Sequence, residues 1–198
     1  MTGFDISTIL AMVVGIAIAI SVHEFGHAYS AHLLGDDTAK MSGRMTLNPA
    51  RHIDPLGLLA LIIFHFGWAK PVPVNPYNYK NYKIGNLIVS FAGVFFNIIT
   101  AIICAIIYKH STMYAIQTIS YACIIYNVGF AAFNLLPIPP LDGWGVLSTF
   151  IPYKWSGYAE SFERISGMVL ILLLITGGYR IITGPIYSLF AGIVSMFM

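Results

Sequence analysis

Charge is what this chain has least of. Only 9% of its 198 residues are Asp, Glu, Lys or Arg, against roughly 25% in an ordinary soluble domain. So few charges cannot dress a water-facing surface, which excludes a soluble enzyme and a disordered tail. A net charge of +2 supplies no basic face, so no nucleic-acid partner is expected. Cysteine is nearly as scarce. Cys104 and Cys123 sit singly in apolar runs, which excludes a disulfide scaffold and a cysteine-based zinc cluster. No repeat of fixed period, low-complexity linker or long polar stretch marks a second domain. The expectation is a single domain over 1–198, with its core in 6–145 and C-terminal helices in 163–198.

What the chain does have is uninterrupted apolar sequence. No Asp, Glu, Lys or Arg occurs from Ile6 to Val22, Pro55 to Ala69, Ile84 to Tyr108, Ser111 to Leu141, Ile165 to Tyr179 or Ile181 to Met198. A membrane span takes about 20 such residues. The sequence therefore predicts a polytopic α-helical membrane protein, a bundle of about 4–6 transmembrane helices. Full spans are expected at about 6–34, 84–108, 112–136 and 165–183. The first run has no basic leader, and no small-residue cleavage site precedes the motif-bearing segment, so it reads as a retained helix. The 56–68 run is short for a span and is expected to be re-entrant. Lys40, Arg44, Arg51, Lys70, Lys80, Lys83, Lys154 and Arg164 then fall on one side, and only Lys109 and Arg180 on the other. That asymmetry places the N-terminus outside and residues 36–83 in the cytoplasm.

Two polar segments look extended. Lys40, Ser42, Arg44 and Thr46 alternate with Met41, Gly43, Met45 and Leu47, the period of a half-buried strand. Pro71-Val72-Pro73-Val74 is the second; its prolines leave one edge without donors. A small membrane-associated β-sheet near the cytoplasmic face is expected from them. A substrate strand is expected to pair with the first segment, at Met41, Ser42, Gly43, Arg44 and Met45, rather than with the proline edge.

The chemistry is concentrated in His23-Glu24-Phe25-Gly26-His27. On a helix, residues four apart share a face, so both imidazoles reach one metal while Glu24 projects beside them as a general base. His23 lies roughly 26 Å along a helix that begins at Ile6, and ionisable groups that deep in a bilayer are usually functional. Hydrolytic zinc takes three protein ligands and keeps one position open. His32 is five residues past His27 and Leu33 six past it, which does not fit a metzincin. Asp36, Asp37, His52 and Asp54 lie in the charged region and read as solvated or structural. Asp142 ends the proline-broken stretch Asn134-Leu-Leu-Pro-Ile-Pro-Pro-Leu-Asp142-Gly143, where a buried carboxylate needs a cation. Asp142 is the expected third ligand.

These motifs together resemble the site-2 protease family of intramembrane zinc metalloproteases, in a minimal form without the PDZ or CBS domains that many members append. Gly93-Val-Phe-Phe-Asn97, Asn48-Pro-Ala-Arg-His52-Ile-Asp54-Pro-Leu-Gly57 and Gly67-Trp-Ala-Lys-Pro-Val-Pro-Val-Asn-Pro76 add to the likeness, which covers roughly 20–145. One departure is Gly93-Val94, where many members carry Gly-Pro. The resemblance implies cleavage of a peptide bond within or near a substrate's transmembrane segment. It also implies one Zn2+ per chain on His23, His27 and Asp142, with Glu24 as general base and then acid. Asn134 is implied near the developing oxyanion; for Asn97, substrate contact and interhelical packing are both open. The expected partners are a transmembrane protein substrate and the lipid bilayer, and the sequence is compatible with a homo-oligomer. The expected location is the prokaryotic plasma membrane, with the active site opening to the cytoplasm.

Two rival readings use the same residues. A zinc transporter or channel also places His and Asp in a membrane, but tends to show inverted repeats, and none is visible. A non-catalytic binder of membrane helices would not need Glu24 beside the histidines.

Overall fold

The computed structural model describes residues 6–57 and 67–198. The described residues are predominantly helical, and no strand-built sheet occurs among them; the sole β-type pairing there is an isolated antiparallel bridge between Ile53 and Ala69. Most of the run expected to be re-entrant, 56–68, lies outside the described residues.

Three long helices form the core: α1 (Ile6–Leu33), α3 (Tyr82–His110) and α4 (Tyr114–Asn134), each long and apolar enough to cross a membrane. They pack against one another in all three pairings. Small residues let them approach closely, as expected where lipid offers no hydrophobic drive between helices. A Cβ on Gly15 would lie 3.0 Å from the Ala122 backbone of α4, and one on Gly26 would lie 2.9 Å from the Ala92 carbonyl of α3. Helix α1 is thus wedged between its two neighbours. Asn81 starts α3 by accepting the Ile84 N–H at 3.1 Å, the expected use of an N-cap side chain.

The predicted spans match these three helices in position but the fourth does not. Residues 165–183 are divided between α6 (Ser156–Thr176) and α7 (Tyr179–Ser195), which are bent by 77° at the break. Gly177, at φ +72°, ends α6 in the left-handed conformation that glycine adopts without a steric penalty. Hydropathy does not register such a break. The bent pair counts as at most one further span.

The strand expected over 40–47 is also absent. Thr38–Met41 forms a helical turn, α2, and Gly43 follows at φ +66°. The expected alternation of faces is not kept: Met41 and Leu47 of the apolar set are exposed, whereas Arg44 of the polar set is buried. The pairing edge expected at Met41, Ser42, Gly43, Arg44 and Met45 is therefore not formed. Polar–apolar alternation over so few residues is equally consistent with a helical turn and a reverse turn in series. Arg44 instead reaches across to donate from Nη2 to the carbonyls of Lys70 and Pro71, at 2.6 and 3.2 Å.

That contact pins one end of an extended strap, residues 70–75. The Lys70 N–H donates to the His52 carbonyl at 2.8 Å. At the other end, buried Asp36 accepts the Asn75 N–H at 2.6 Å and the Asn78 side-chain amide at 2.8 Å. The strap contains the expected Pro71–Val74 segment and crosses the end of α1 that carries the His-Glu-x-x-His motif.

Candidate metal centre

His23, Glu24 and His27 are all buried on α1. Asp142 arrives from the far side. After α4 ends at Asn134, the proline-containing loop turns the chain back, and Asp142 begins the short helix α5 (Asp142–Ser148). Gly143 makes that turn feasible, because a Cβ there would lie 2.3 Å from the Leu135 carbonyl oxygen. Asn86 of α3 tethers α5 by donating to the Gly145 carbonyl at 2.9 Å and to the Thr149 hydroxyl at 2.7 Å.

The result brings three ligand atoms together. The two Nε2 atoms of His23 and His27 are 3.0 Å apart, and Asp142 oxygens lie 3.1 Å from the first and 3.3 Å from the second. Four-coordinate zinc with bonds near 2.0 Å would separate its ligand atoms by about 3.3 Å. The donor set fits that ion in type and spacing.

Hydrogen bonds on the remote ring nitrogens decide what these atoms offer. His27 Nδ1 is 2.7 Å from the Val89 carbonyl, which can only accept, so Nδ1 carries the proton. His23 Nδ1 is 2.7 Å from Asn97 Oδ1. Asn97 Nδ2 donates to the Ala19 carbonyl at 2.9 Å and to Asn127 Oδ1 at 2.8 Å, which orients its oxygen toward His23. With each Nδ1 engaged by an acceptor oxygen, both rings turn Nε2 inward, the arrangement that prepares histidine for a metal. Asp142 Oδ2 is buried without a hydrogen bond among the described residues. Three lone-pair-bearing groups facing each other in a buried pocket repel unless a cation lies between them. This set is the one cluster of metal-ligating groups found among the described residues.

Beside the cluster is a cavity of about 220 Å³ bordered by Glu24, Val72, Val74, Ser90, Asn134 and Pro140, among others. Asn134 lines it, with Nδ2 donating to the Phe130 carbonyl at 2.9 Å; among the described residues no other hydrogen bond from that amide occurs. Of the two readings open for Asn97, the contacts here are those of interhelical packing: it is fully buried, and its amide bonds His23 and Ala19 of α1 and Asn127 of α4. His52 and Asp54 serve the loop: His52 Nε2 bonds the Thr46 carbonyl at 2.8 Å, and Asp54 accepts the Leu56 N–H at 2.8 Å.

Some contributors were not singled out in the sequence. Asn127, fully buried in α4, completes the Asn97 network and donates to the Cys123 carbonyl at 2.8 Å. The spacing Asn86, Ser90, Gly93, Asn97 marks one face of α3; that face meets α5, the cavity and both histidines. Tyr79 borders the cavity, packed over Gly85. Burial, reinforced by the nearby Asp36 and Tyr82 charges, pushes its phenol up to about 12, so it stays neutral.

A helical core with three apolar helices thus holds a His-His-Asp cluster beside a glutamate, a donor set suited to a metal ion. Comparison with known proteins gives the particular family. The chain is 32% identical to "Putative zinc metalloprotease YwhC" of Bacillus subtilis, over 87% of this chain and 84% of that protein. It is 28% identical to "Putative zinc metalloprotease Rip2" of Mycolicibacterium smegmatis, over 86% of this chain and 69% of that one. The Mycobacterium tuberculosis Rip2 is 29% identical, over 90% and 72% respectively. The chain belongs to this zinc metalloprotease family. No family model matches it, and no solved structure does.

Proposed function

We propose that the protein is a site-2-type intramembrane endopeptidase, cutting peptide bonds within or near transmembrane segments of other membrane proteins. One observation carries the reading: two histidine Nε2 atoms on a helix apolar enough to span a bilayer converge with the Asp142 carboxylate, beside a buried glutamate. His23, His27 and Asp142 would hold one zinc ion per chain. Bound there, zinc supplies Lewis acidity, acidifying a water and polarising a carbonyl.

The remaining chemistry belongs to the chain. Glu24 takes the proton of the attacking water and hands it to the departing amine. Asn134, at the cavity wall, has an amide hydrogen to offer a developing oxyanion. Asn97 and the Val89 carbonyl hold the imidazoles in the ligand tautomer. Asn86 keeps α5, and so Asp142, against α3. An extended substrate segment needs its backbone groups met in an apolar setting, and Val72 and Val74 of the strap border the cavity in which it would lie. The chain is read as a multi-pass protein of a prokaryotic plasma membrane, N-terminus outside and active site opening to the cytoplasm. The bias of basic residues and the three apolar helices support that placement.

The test is cleavage of a model transmembrane peptide by the purified protein, with and without a chelator. Glu24→Gln is expected to keep zinc and lose cleavage, and Asp142→Ala to lose both. Zinc binding without any cleavage by the wild type, over a panel of transmembrane peptides, would favour a transporter or a binder instead.

A further inference from the structure

The sequence Pro71-Val72-Pro73 holds a single backbone N–H, because neither proline has one. The structure uses that one donor on Glu24. The Val72 N–H lies 2.8 Å from Glu24 Oε2, and both residues are buried. Among the described residues no other hydrogen bond to the Glu24 carboxylate occurs, so its second oxygen is left for a water.

The strap that delivers the donor is held at both ends by groups remote from the cluster. Arg44 grips the Lys70 and Pro71 carbonyls, and Asp36 grips the Asn75 N–H. The Val72 side chain is packed with Ala28 and Ala39. Proline on each side restricts the backbone to extended conformations. A carboxylate on a flexible side chain is thereby given one fixed partner, presented by a segment with little freedom to move.

We propose that the Val72 amide is a positioning group for Glu24: it fixes one carboxylate oxygen so that the other faces the water to be deprotonated. This rests on Glu24 being the general base, as set out above. It also gives the two prolines a purpose. With no other N–H between Lys70 and Val74, the strap has no competing donor to offer the carboxylate.

Val72→Pro tests the idea, since it removes the N–H from a backbone already shaped by two prolines, while Val72→Ala keeps the N–H and trims the side chain. Displacement of a reacting group by an ångström costs on the order of 10²-fold. The expected result for Val72→Pro is a kcat lower by about 10- to 100-fold, with KM and zinc content unchanged. Val72→Ala, which keeps the N–H, should retain more of the wild-type kcat than Val72→Pro does. Wild-type kcat in a zinc-loaded Val72→Pro variant would overturn the proposal. So would a higher kcat, which would make the contact a restraint on the base.

A second measurement needs neither metal nor activity. Amide exchange at Val72 should be slow in the wild type, slow in Glu24→Gln, which keeps an acceptor, and at least tenfold faster in Glu24→Ala, on the order of 1.4 kcal/mol of lost protection. Equal exchange in all three would show that the bond is not held in solution. Absence of any proteolysis would overturn the function proposed above, and the exchange data would still decide the Val72 contact.

Discussion

Gly93 faces His23 so closely that a methyl group does not fit between them. A Cβ at position 93 would lie 2.5 Å from His23 Cε1 and 2.6 Å from His27 Nε2. The bare backbone of α3 is what lets both imidazoles sit against it. Overpacking of this kind costs about 1–3 kcal/mol, and here the yielding groups are the ligands. Gly93→Ala is expected to weaken zinc by roughly tenfold or more, read by competition with a chromogenic chelator. Gly129→Ala on α4 adds a methyl with nothing within 4 Å, and its affinity should match the wild type. Equal affinity in both variants would contradict the role given to Gly93.

The Asn97–Asn127 pair makes a graded prediction. Asn97→Leu removes the acceptor for His23 Nδ1, and losses of 10- to 100-fold in metal affinity are typical of such changes. Asn127→Leu leaves Asn97 bonded to His23 but takes the acceptor from one Nδ2 hydrogen, a change of about 1 kcal/mol. Cobalt-substituted protein should therefore show a displaced ligand-field spectrum in the first variant and a smaller change in the second. The reverse order would mean that Asn127 holds the ring by another route.

Asp36 predicts how acid acts on the strap. Burial pushes its carboxyl up, but bonds from the Asn75 N–H, the Thr38 hydroxyl, the Asn78 amide and the Thr38 N–H outweigh it and hold the group below its ordinary value of 3.8. A carboxyl lowered on folding contributes stability that is fully present above its unfolded value. That contribution is lost as pH falls through the folded one. Thermal unfolding of wild type and Asp36→Asn should differ most at neutral pH, and the gap should close on acidification below about pH 4. A gap that is constant from pH 7 to pH 3 would exclude an ionised Asp36 as the clamp.

Orientation is checked with reporters. A fusion after Lys83 should read cytoplasmic, and an insertion at His110, the last residue of α3, should read external. The inverted pattern would place the strap and the metal cluster toward the other face of the membrane.

The three core helices and the residues of the His-His-Asp cluster were legible in the sequence because each rests on one strong signal. Long charge-free runs mark α1, α3 and α4. The i, i+4 histidines mark the ligand face, and Asp142 is marked by the absence of any other charge around it. Less was legible where several weak signals compete. The 40–47 segment alternates like a strand, yet its turn is set by Gly43 and by a long-range bond from Arg44 to carbonyls 26 and 27 residues away. The break at Gly177 lies inside a run that hydropathy treats as continuous. Val72 carries no sequence signal at all, since its contribution is a backbone N–H. Asn127 is uncharged, and a search for ionisable groups passes over it.

The residues proposed to hold zinc come from two distant parts of the chain, His23 and His27 on α1 and Asp142 at the start of α5. Bound metal is therefore a cross-link between the first helix and everything that follows the fourth. Its binding free energy is also conformational free energy, about 4.1 kcal/mol at a thousandfold excess over Kd. Chelation should accordingly loosen the attachment of α5, held otherwise by the Asn86 tether. Metal should then register as a brace on the assembled chain in a melting experiment, even in a Glu24→Gln variant that cuts nothing.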